Sequence, residues 1–252
     1  MPPTDQRQPC VLIAFAAPRE GVAIHSGLAA RASPGFPLWR AVAVAPGFEM
    51  VRTGVGPAAA AGGVARSLDP ARHTVVISLG VGGALPGPNA PEIGSVVLAT
   101  RSAFADLGLQ TPEGYQSLRE MGLGIEASGS GESYTPDSRL AERLMPLADR
   151  RAPVATVSTC SGTDARAAAV AERLGPDSEG GVEGMEGASV GLVAEMLGAE
   201  MARGLGGVAF AEMRVISNTT GDRSAQRWDL DGALARLEVV ARGLGGLGLT
   251  SA

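Results

Sequence analysis

The sequence predicts an α/β protein in which helices cover both faces of a central sheet. Short apolar runs rich in Val and Ile alternate along the chain with longer segments rich in Ala, Leu, Arg and Glu. Several of the apolar runs contain almost no polar residue, which is typical of strands that are covered on both faces. This alternation predicts a three-layer α/β/α sandwich.

Five strands and five helices are expected from these patterns. The strands are VLIAFAA from Val11, TVVISLG from Thr74, GSVVLAT from Gly94, VATVST from Val154 and VAFAEMRVIS from Val208. The helices are expected at residues 56–69, 138–150, 163–175, 186–206 and 229–245.

The organisation of the chain favours one domain. No low-complexity linker and no internal repeat interrupts the 252 residues, so we expect a single domain over residues 10–245. The polar, proline-rich opening MPPTDQRQP predicts a disordered tail over residues 1–9. The closing GLGGLGLT follows a helix and lacks the strand-then-helix context of a phosphate loop, so we expect a frayed tail over residues 246–252.

Composition argues against several classes of protein. The net charge is −5 and no cluster of Lys and Arg stands out, which disfavours nucleic acid as a partner. The chain has two Cys and two His, too few and too scattered for a zinc site or a disulfide framework, whereas carboxylate-bound magnesium stays open. The first apolar run is too short for a membrane span and lacks the layout of a signal peptide. We therefore expect a soluble cytoplasmic protein with no cofactor and no membrane partner, and we assign no metal-binding residue.

Small or polar residues at strand ends indicate where a ligand could bind, because α/β sheets hold ligands there. Glu20 follows the first strand in AAPRE, where it can equally be a first-turn helix residue that the helix dipole favours. Gly80, Gly82 and Gly83 follow the Thr74 strand and either let the backbone approach a ligand or form a tight turn.

A carboxylate leads the apolar face of the fourth predicted helix. Glu186 is followed by Val190, Val193 and Leu197 at spacings of four, three and four, which places all four on one helical face. A glutamate that points toward the sheet needs a partner, because an unpaired buried charge is costly. That partner is either an arginine of the protein or a pair of ligand hydroxyls.

Asn218 ends the last predicted strand. Ser and Asn are good turn-starting residues, so a purely local role is one interpretation. The other is recognition, because a side-chain amide offers both a donor and an acceptor and can meet a ring nitrogen beside a carbonyl without carrying charge.

Several motifs resemble those of the purine nucleosidase and nucleoside phosphorylase superfamily. GVEGMEGAS resembles its Met-Glu motif, RVISN its Arg-x-Ile-Ser-Asp strand end, LGVGGAL its glycine-rich strand and TGVGPAAAA its Ser/Thr-Gly-x-Gly helix start. Within this superfamily, ADLGLQTPEGYQSL, ATVSTCSGTDARA and RVISNTTGDRSAQRW are most similar to the futalosine hydrolases. The resemblance implies a central mixed, partly barrel-like sheet of the nucleoside phosphorylase/nucleosidase type.

The resemblance also implies a reaction. It is hydrolysis of the N-glycosidic bond of futalosine, which releases hypoxanthine and dehypoxanthine futalosine in menaquinone biosynthesis. Relatives that cleave methylthioadenosine usually carry Asp where this chain has Asn218. The amide of Asn218 is therefore expected to bind N7 or O6 of hypoxanthine, and so to favour hypoxanthine over adenine. The family further implies a homo-oligomer, with a dimer favoured.

The site residues follow from the same resemblance. Catalytic roles fall to Glu20, as the general base that activates water, and to Asn218. Glu186 would bind the ribose hydroxyls, and Arg214 would orient one of the glutamates. The substrate-binding set is Gly82, Gly83, Ser161, Gly162, Met185, Glu186 and Arg214.

Two departures from the family pattern and three competing functions accompany this assignment. AAPRE carries a single carboxylate, and Gly184 separates Glu183 from Met185, which leaves the role of Glu183 open. A phosphate-dependent phosphorylase would need several arginines and a hydroxyl in the glycine-rich loop, where only Arg19 is near. A methylthioadenosine/S-adenosylhomocysteine nucleosidase would share most of these motifs, and so would a nucleoside-binding protein without catalysis, because a fold does not determine a function.

Overall fold

A computed structural model describes residues 10–29, 35–124, 132–175, 180–201 and 207–249. The strands are β1 Cys10–Phe15, β2 Ala41–Ala45, β3 Phe48–Arg52, β4 His73–Ala84, β5 Val96–Phe104, β6 Gly108–Thr111, β7 Gly114–Ser117, β8 Ser133–Tyr134, β9 Arg150–Thr156, β10 Val182–Gly184 and β11 Ala209–Thr219. The helices are α1 Pro18–Leu28, α2 Pro57–Ser67, α3 Ser138–Leu144, α4 Asp164–Arg173, α5 Gly187–Met201 and α6 Leu230–Gly246, with a short 3-10 helix at Met145–Leu147.

The main sheet is mixed and closes on itself at one end. Its strand order is β10-β9-β5-β11-β4-β1-β3-β2, and β10 also pairs antiparallel with β4. The strands β4, β11, β5, β9 and β10 thus form a closed, five-stranded, barrel-like unit from which β1, β3 and β2 extend. The expected mixed, partly barrel-like sheet is confirmed.

Two helical layers cover the sheet, as predicted. Alternate residues of β1 point to opposite faces, as the period of a strand requires. Ile13 packs in a core cluster with Ile24 of α1 and Leu237 of α6, whereas Leu12 packs in a second cluster with Val64 of α2 and Val190 of α5. The chain is therefore an α/β/α sandwich around a sheet that is buried on both faces.

Strand β4 is longer than the sequence pattern predicts. It continues from His73 to Ala84, so Gly80, Gly82 and Gly83 lie within the strand rather than after it. The extension pairs with β11 on one side and with β10 on the other, and these pairings close the barrel. A local pattern could not indicate them because both partners are distant in sequence.

Several elements were not predicted. These are the helix α1, the hairpin of β2 and β3, the hairpin of β6 and β7, and the strands β8 and β10. The β2–β3 connection is the Pro46-Gly47 dipeptide, a turn signal between two apolar runs that could have revealed the hairpin. Strand β10 has three residues, too few for a periodic pattern.

Two predicted boundaries differ from the structure. The helix expected over residues 138–150 ends at Leu144, because Pro146 follows in a 3-10 turn and β9 already begins at Arg150. The tail expected over residues 246–252 is ordered as far as it is described: Leu249 is buried, and Arg143 donates to the carbonyl oxygens of Leu247 and Gly248. The predicted tail over residues 1–9, the end of the helix predicted over 186–206 and residues 250–252 lie outside the described ranges.

No helix within the described ranges is both long enough and apolar enough to cross a membrane.

Candidate active site

A cavity of about 760 Å³ opens at the ends of β1, β4, β10 and β11. Eight of the nine residues predicted for the site line it: Glu20, Gly82, Gly83, Ser161, Gly162, Met185, Glu186 and Asn218. These residues come from five separate segments of the chain, so the fold brings together what the sequence keeps apart. The ninth, Arg214, lies beneath the cavity wall.

Glu20 is fixed by backbone donors from two elements. It occupies the first turn of α1, where its Oε2 accepts from the backbone N–H groups of Ala16 at 3.1 Å and Ala17 at 2.8 Å. Its Oε1 accepts from the backbone N–H of Val81 in β4 at 2.9 Å. Burial and the nearby charge of Glu186 raise the pKa of Glu20, against the opposing effect of these N–H donors and of Arg214. Glu20 is thus both a first-turn helix residue and a buried carboxylate at the cavity.

Glu186 joins the glycine-rich start of α2 to the buried Arg214. Its Oε1 accepts from the backbone N–H of Gly56 at 3.2 Å, and its Oε2 accepts from Nη1 of Arg214 at 3.0 Å. Gly54 and Gly56 both have positive φ, of 88° and 98°, which explains the glycines of the TGVG motif. Of the two partners that the sequence left open for Glu186, the structure contains the protein arginine.

Arg214 is surrounded by acceptors. Its Nε donates to Oε1 of Glu212 at 2.7 Å, its Nη2 to Oγ of Ser78 at 3.0 Å, and its Nη1 also approaches the carbonyl oxygen of Val81 at 3.3 Å. Burial disfavours the guanidinium charge, but Glu212, Glu186 and Glu20 outweigh that effect and raise the pKa of Arg214. Arg214 therefore stays charged and contacts Glu186, and it does not form part of the cavity wall.

Glu212 is a second buried partner of Arg214 that the sequence analysis did not single out. The residue is completely buried, and its other oxygen accepts from the hydroxyl of Ser102 in β5. The signal was present in the sequence, because Glu212 and Arg214 alternate within one apolar strand and so point to the same face.

Asn218 stands at the end of β11 with its amide held in one orientation. Its Nδ2 donates to the carbonyl oxygen of Thr219 at 2.9 Å, and its Oδ1 accepts from Oγ of Ser217 at 2.8 Å. Since a carbonyl oxygen can only accept, the nitrogen must face Thr219. The second N–H of Nδ2 and one lone pair of Oδ1 remain for a ligand.

Glu183, whose role the sequence left open, also lines the cavity. Its Oε1 accepts from the backbone N–H of Ser161 at 2.9 Å, and its Oε2 accepts from the hydroxyl of the same residue. Burial raises the pKa of Glu183, while the two donors of Ser161 and the charge of Arg166 oppose that shift. Cys160 is exposed beside this pair, with its Sγ 3.3 Å from Sδ of Met185.

The mouth of the cavity carries two basic side chains, and the expectation that Arg19 is the only one nearby was wrong. Arg19 forms an ion pair with Asp231. Arg223 lies 4.7 Å from the ring centre of Trp228 and donates from Nη1 to Gln226 at 2.8 Å. Both side chains already have partners. The apolar Val55, Leu230 and Leu234 complete the rim.

Within the described residues, one group has the chemistry of metal ligands. Cys10, Glu49 and His73 are buried at the far end of β1 from the cavity, with ligand atoms within 4.8 Å of one another. Their hydrogen-bonding groups are already used: Arg72 pairs with Glu49, and Nδ1 of His73 accepts from the backbone N–H of Asp69 at 2.9 Å. Burial also raises the pKa of the Cys10 thiol to about 11. The group therefore fits a hydrogen-bonded cluster better than a metal site.

Comparison with known families identifies the class of protein. The family model of the phosphorylase superfamily matches residues 49–247. A methylthioadenosine/S-adenosylhomocysteine nucleosidase from Neisseria meningitidis, solved with methylthio-immucillin-A, superposes with a TM-score of 0.68 at 17% identity, over 94% of this chain and 99% of that one. The chain belongs to the phosphorylase superfamily, and the solved structure supports its fold.

Two relatives narrow the family. A futalosine hydrolase from Streptomyces coelicolor is 32% identical over 210 residues, which are 81% of this chain and 80% of the relative. A futalosine hydrolase from Acidothermus cellulolyticus is 34% identical over 174 residues, or 69% of this chain and 65% of the relative. A mutant futalosine hydrolase of Helicobacter pylori superposes with a TM-score of 0.65 at 18% identity, over 96% of this chain and 97% of that one. Within the superfamily, this chain belongs to the futalosine hydrolase family.

Proposed function

We propose that this chain hydrolyses the N-glycosidic bond of futalosine and releases hypoxanthine and dehypoxanthine futalosine, a step of menaquinone biosynthesis. The observation that carries the proposal is the arrangement of Glu20, Glu186 and Asn218 around one cavity, in a chain that is related to futalosine hydrolases over most of its length. The substrate is a small nucleoside, and the proposed reaction needs no cofactor or metal.

The proposed mechanism begins with the ribose. Glu186, which Arg214 and the N–H of Gly56 hold in place, accepts hydrogen bonds from the sugar hydroxyls, and Met185 packs beside the sugar. Gly82 and Gly83 line the cavity, where the backbone of β4 approaches the sugar and the attacking water. These contacts place the anomeric carbon near Glu20.

Bond cleavage then involves groups on either side of the sugar. As the bond from the anomeric carbon to N9 lengthens, positive charge develops on the sugar and negative charge on the base. Glu20 takes a proton from the attacking water, a contribution of about 10² to 10⁴ in rate. The free N–H of Asn218 donates to N7 or O6 of the departing base, while Ser161 and Gly162 line the base. The base leaves as its anion and takes a proton from solvent, and Glu20 returns the proton of the attacking water to solvent.

Hydrolysis is favoured over phosphorolysis by the charges in the cavity. A phosphate dianion requires several unpaired cationic donors. Among the described residues that line the cavity, the basic ones are Arg19 and Arg223, and each already has an acidic or aromatic partner. Water is therefore the better nucleophile for this site.

The first experiment incubates purified protein with futalosine, inosine and methylthioadenosine, each with and without phosphate, and separates the released bases by chromatography. We expect hypoxanthine from futalosine without phosphate, and little adenine from methylthioadenosine. Glu20→Gln should abolish turnover while hypoxanthine binding persists, and Glu172→Gln, on the exposed face of α4, is the matched control.

The remaining outcomes each indicate a different function. Release that requires phosphate would make the protein a phosphorylase, and adenine as the main product would make it a methylthioadenosine nucleosidase. No base from any substrate would favour a nucleoside-binding protein. We also propose a cytoplasmic homodimer, for which light scattering should give about twice the 25.4 kDa of the chain.

A further inference from the structure

Glu183 is a carboxylate that faces the cavity and that the proposed reaction leaves unused. It is 6% exposed, and each of its oxygens accepts one hydrogen bond from Ser161. Since an ionised carboxylate can accept about four hydrogen bonds, each oxygen retains an acceptor position. A buried acceptor in a cavity wall can bind a ligand when a donor group of that ligand reaches it.

The register of the barrel places Glu183 opposite Asn218. Gly83 of β4 pairs with Glu183 of β10 on one side and with Asn218 of β11 on the other. Directly paired residues point to the same face of a sheet, so both side chains rise from the same face as the missing side chain of Gly83. Two strand spacings separate their backbones by about 10 Å.

Gly83 lets the side chains of Asn218 and Thr220 lie directly against the backbone of β4. A Cβ at this position would lie 3.0 Å from Nδ2 of Asn218 and 2.8 Å from Cγ2 of Thr220. A planar heterocycle in the cavity that Asn218 and Glu183 both line can turn one edge toward the amide and another toward the carboxylate. Ser161 and Gly162, on the loop that Glu183 holds, line the same part of the cavity.

The two side chains present different hydrogen-bonding capacities. Asn218 offers a free N–H, whereas ionised Glu183 offers only acceptors. A 6-oxopurine carries a proton on N1 beside the accepting O6, and a 6-aminopurine carries a bare lone pair on N1. A carboxylate can therefore accept a hydrogen bond from N1 of a 6-oxopurine. With a 6-aminopurine, the carboxylate oxygen and the N1 lone pair would be two acceptors that face each other.

We infer that Glu183 accepts the N1–H of a 6-oxopurine and is, together with Asn218, the residue that selects hypoxanthine over adenine. This inference rests on the proposed function, since it assigns the base-binding part of the same site. It gives the carboxylate before Gly184 a role in substrate choice rather than in catalysis. The hydrogen bonds from Ser161 favour the ionised form against the effect of burial and fix the orientation of the carboxylate.

A purely structural role for Glu183 makes a different prediction. If the carboxylate only anchors the loop through Ser161, its loss weakens the binding of every base to the same degree. If the carboxylate accepts the N1 proton, its loss changes the ratio of the affinities for hypoxanthine and adenine. Hence the ratio of affinities distinguishes the two roles, and overall stability does not.

The test measures the affinities of hypoxanthine, adenine and 1-methylhypoxanthine by calorimetry for the wild type, Glu183→Gln and the control Glu172→Gln. We expect the wild type to bind hypoxanthine at least about tenfold more tightly than adenine, because adenine leaves the buried carboxylate without a donor at N1. 1-Methylhypoxanthine, which lacks the N1 proton, should bind as weakly as adenine. Glutamine can turn either an acceptor or a donor toward N1. Glu183→Gln should therefore reduce the ratio of the affinities for hypoxanthine and adenine about tenfold, whereas Glu172→Gln should keep that ratio.

The outcomes separate this inference from the proposed function. If Glu183→Gln weakens the binding of both bases equally, or keeps the wild-type ratio of their affinities, the inference is overturned even if futalosine is hydrolysed. A wild type that prefers hypoxanthine but leaves futalosine intact contradicts the proposed reaction and leaves the base assignment in place. A wild type that binds adenine as well as hypoxanthine overturns both.

Discussion

The side chain of Glu20 contacts two parts of the fold, the first turn of α1 and the backbone of β4. It accepts N–H groups from Ala16, Ala17 and Val81, which fix its position without neutralising its charge. Burial and the negative charge of Glu186 act against that charge, and the balance raises its pKa. A general base benefits from such a shift, because a carboxylate with a raised pKa accepts a proton more readily.

This balance predicts the acidic limb of the pH–rate profile. Glu20 must be ionised to act as the general base. We therefore expect kcat/KM to fall as the pH drops through the raised pKa of Glu20, at a pH above the ordinary glutamate value of about 4.3. Glu186→Gln removes a like charge that contributes to this shift, and should move the limb to lower pH although its overall rate is reduced. The measurement is kcat/KM from pH 4 to 9; a wild-type limb at or below the ordinary value would contradict this account.

Residues whose type carries its own chemistry could be singled out from the sequence, and their roles stay predictions. Glu20, Glu186 and Asn218 stood at strand or helix ends and were singled out by charge or by the amide group, and all three line the cavity. Glu183 and Glu212 were not assigned, because their partners Ser161 and Ser102 lie 22 and 110 residues away and only the folded chain brings them together.

Strand β4 positions the site, and its glycines determine how closely side chains approach it. A Cβ on Gly80 would lie 2.4 Å from Oε1 of Glu20 and 3.0 Å from Nη1 of Arg214. The strand therefore carries glycine at this position so that a carboxylate and a guanidinium can lie against its backbone.

Gly80→Ala should displace the Glu20 carboxylate and reduce kcat about 100-fold or more, in line with the loss of a positioned general base. The matched control is Gly245→Ala, on the exposed side of α6, where the nearest atom to the new Cβ is 4.0 Å away. Alanine in a helix is more favourable than glycine by roughly 0.5–1 kcal/mol, so the control should keep its activity and its stability. A Gly80→Ala enzyme with wild-type kcat would show that Glu20 does not need its observed position.

At the level of elements, the sequence predicted the long, strongly patterned segments and missed the short ones. The five predicted strands exist because they are apolar on both faces, and α2, α4 and α6 follow their predicted ranges closely. The length of β4 and the existence of β10 depend on pairing across the barrel, which leaves no local pattern.

The whole molecule is organised around the cavity. Its lining comes from α1 near the start of the described chain, from β4 and β10 in the middle, and from β11 and α6 near its end. A ligand in this cavity therefore contacts the helical layer of α1 and α6 and the barrel together. A ligand that binds only the folded state stabilises that state, so such a ligand should raise the free energy of unfolding of the whole chain.

Hypoxanthine at 100 times its dissociation constant should raise the free energy of unfolding by about 2.7 kcal/mol. For a protein of this size, this corresponds to an increase in Tm of roughly 5–10 °C. Inorganic phosphate should shift Tm by less than about 1 °C, since Arg19 and Arg223 are already paired and no cluster of unpaired cations faces the cavity among the described residues. Thermal unfolding with each ligand alone and with both together measures these shifts. A phosphate shift comparable to that of hypoxanthine would reveal an anion site and favour phosphorolysis, whereas a shift from hypoxanthine alone agrees with a site built for a base, a sugar and water.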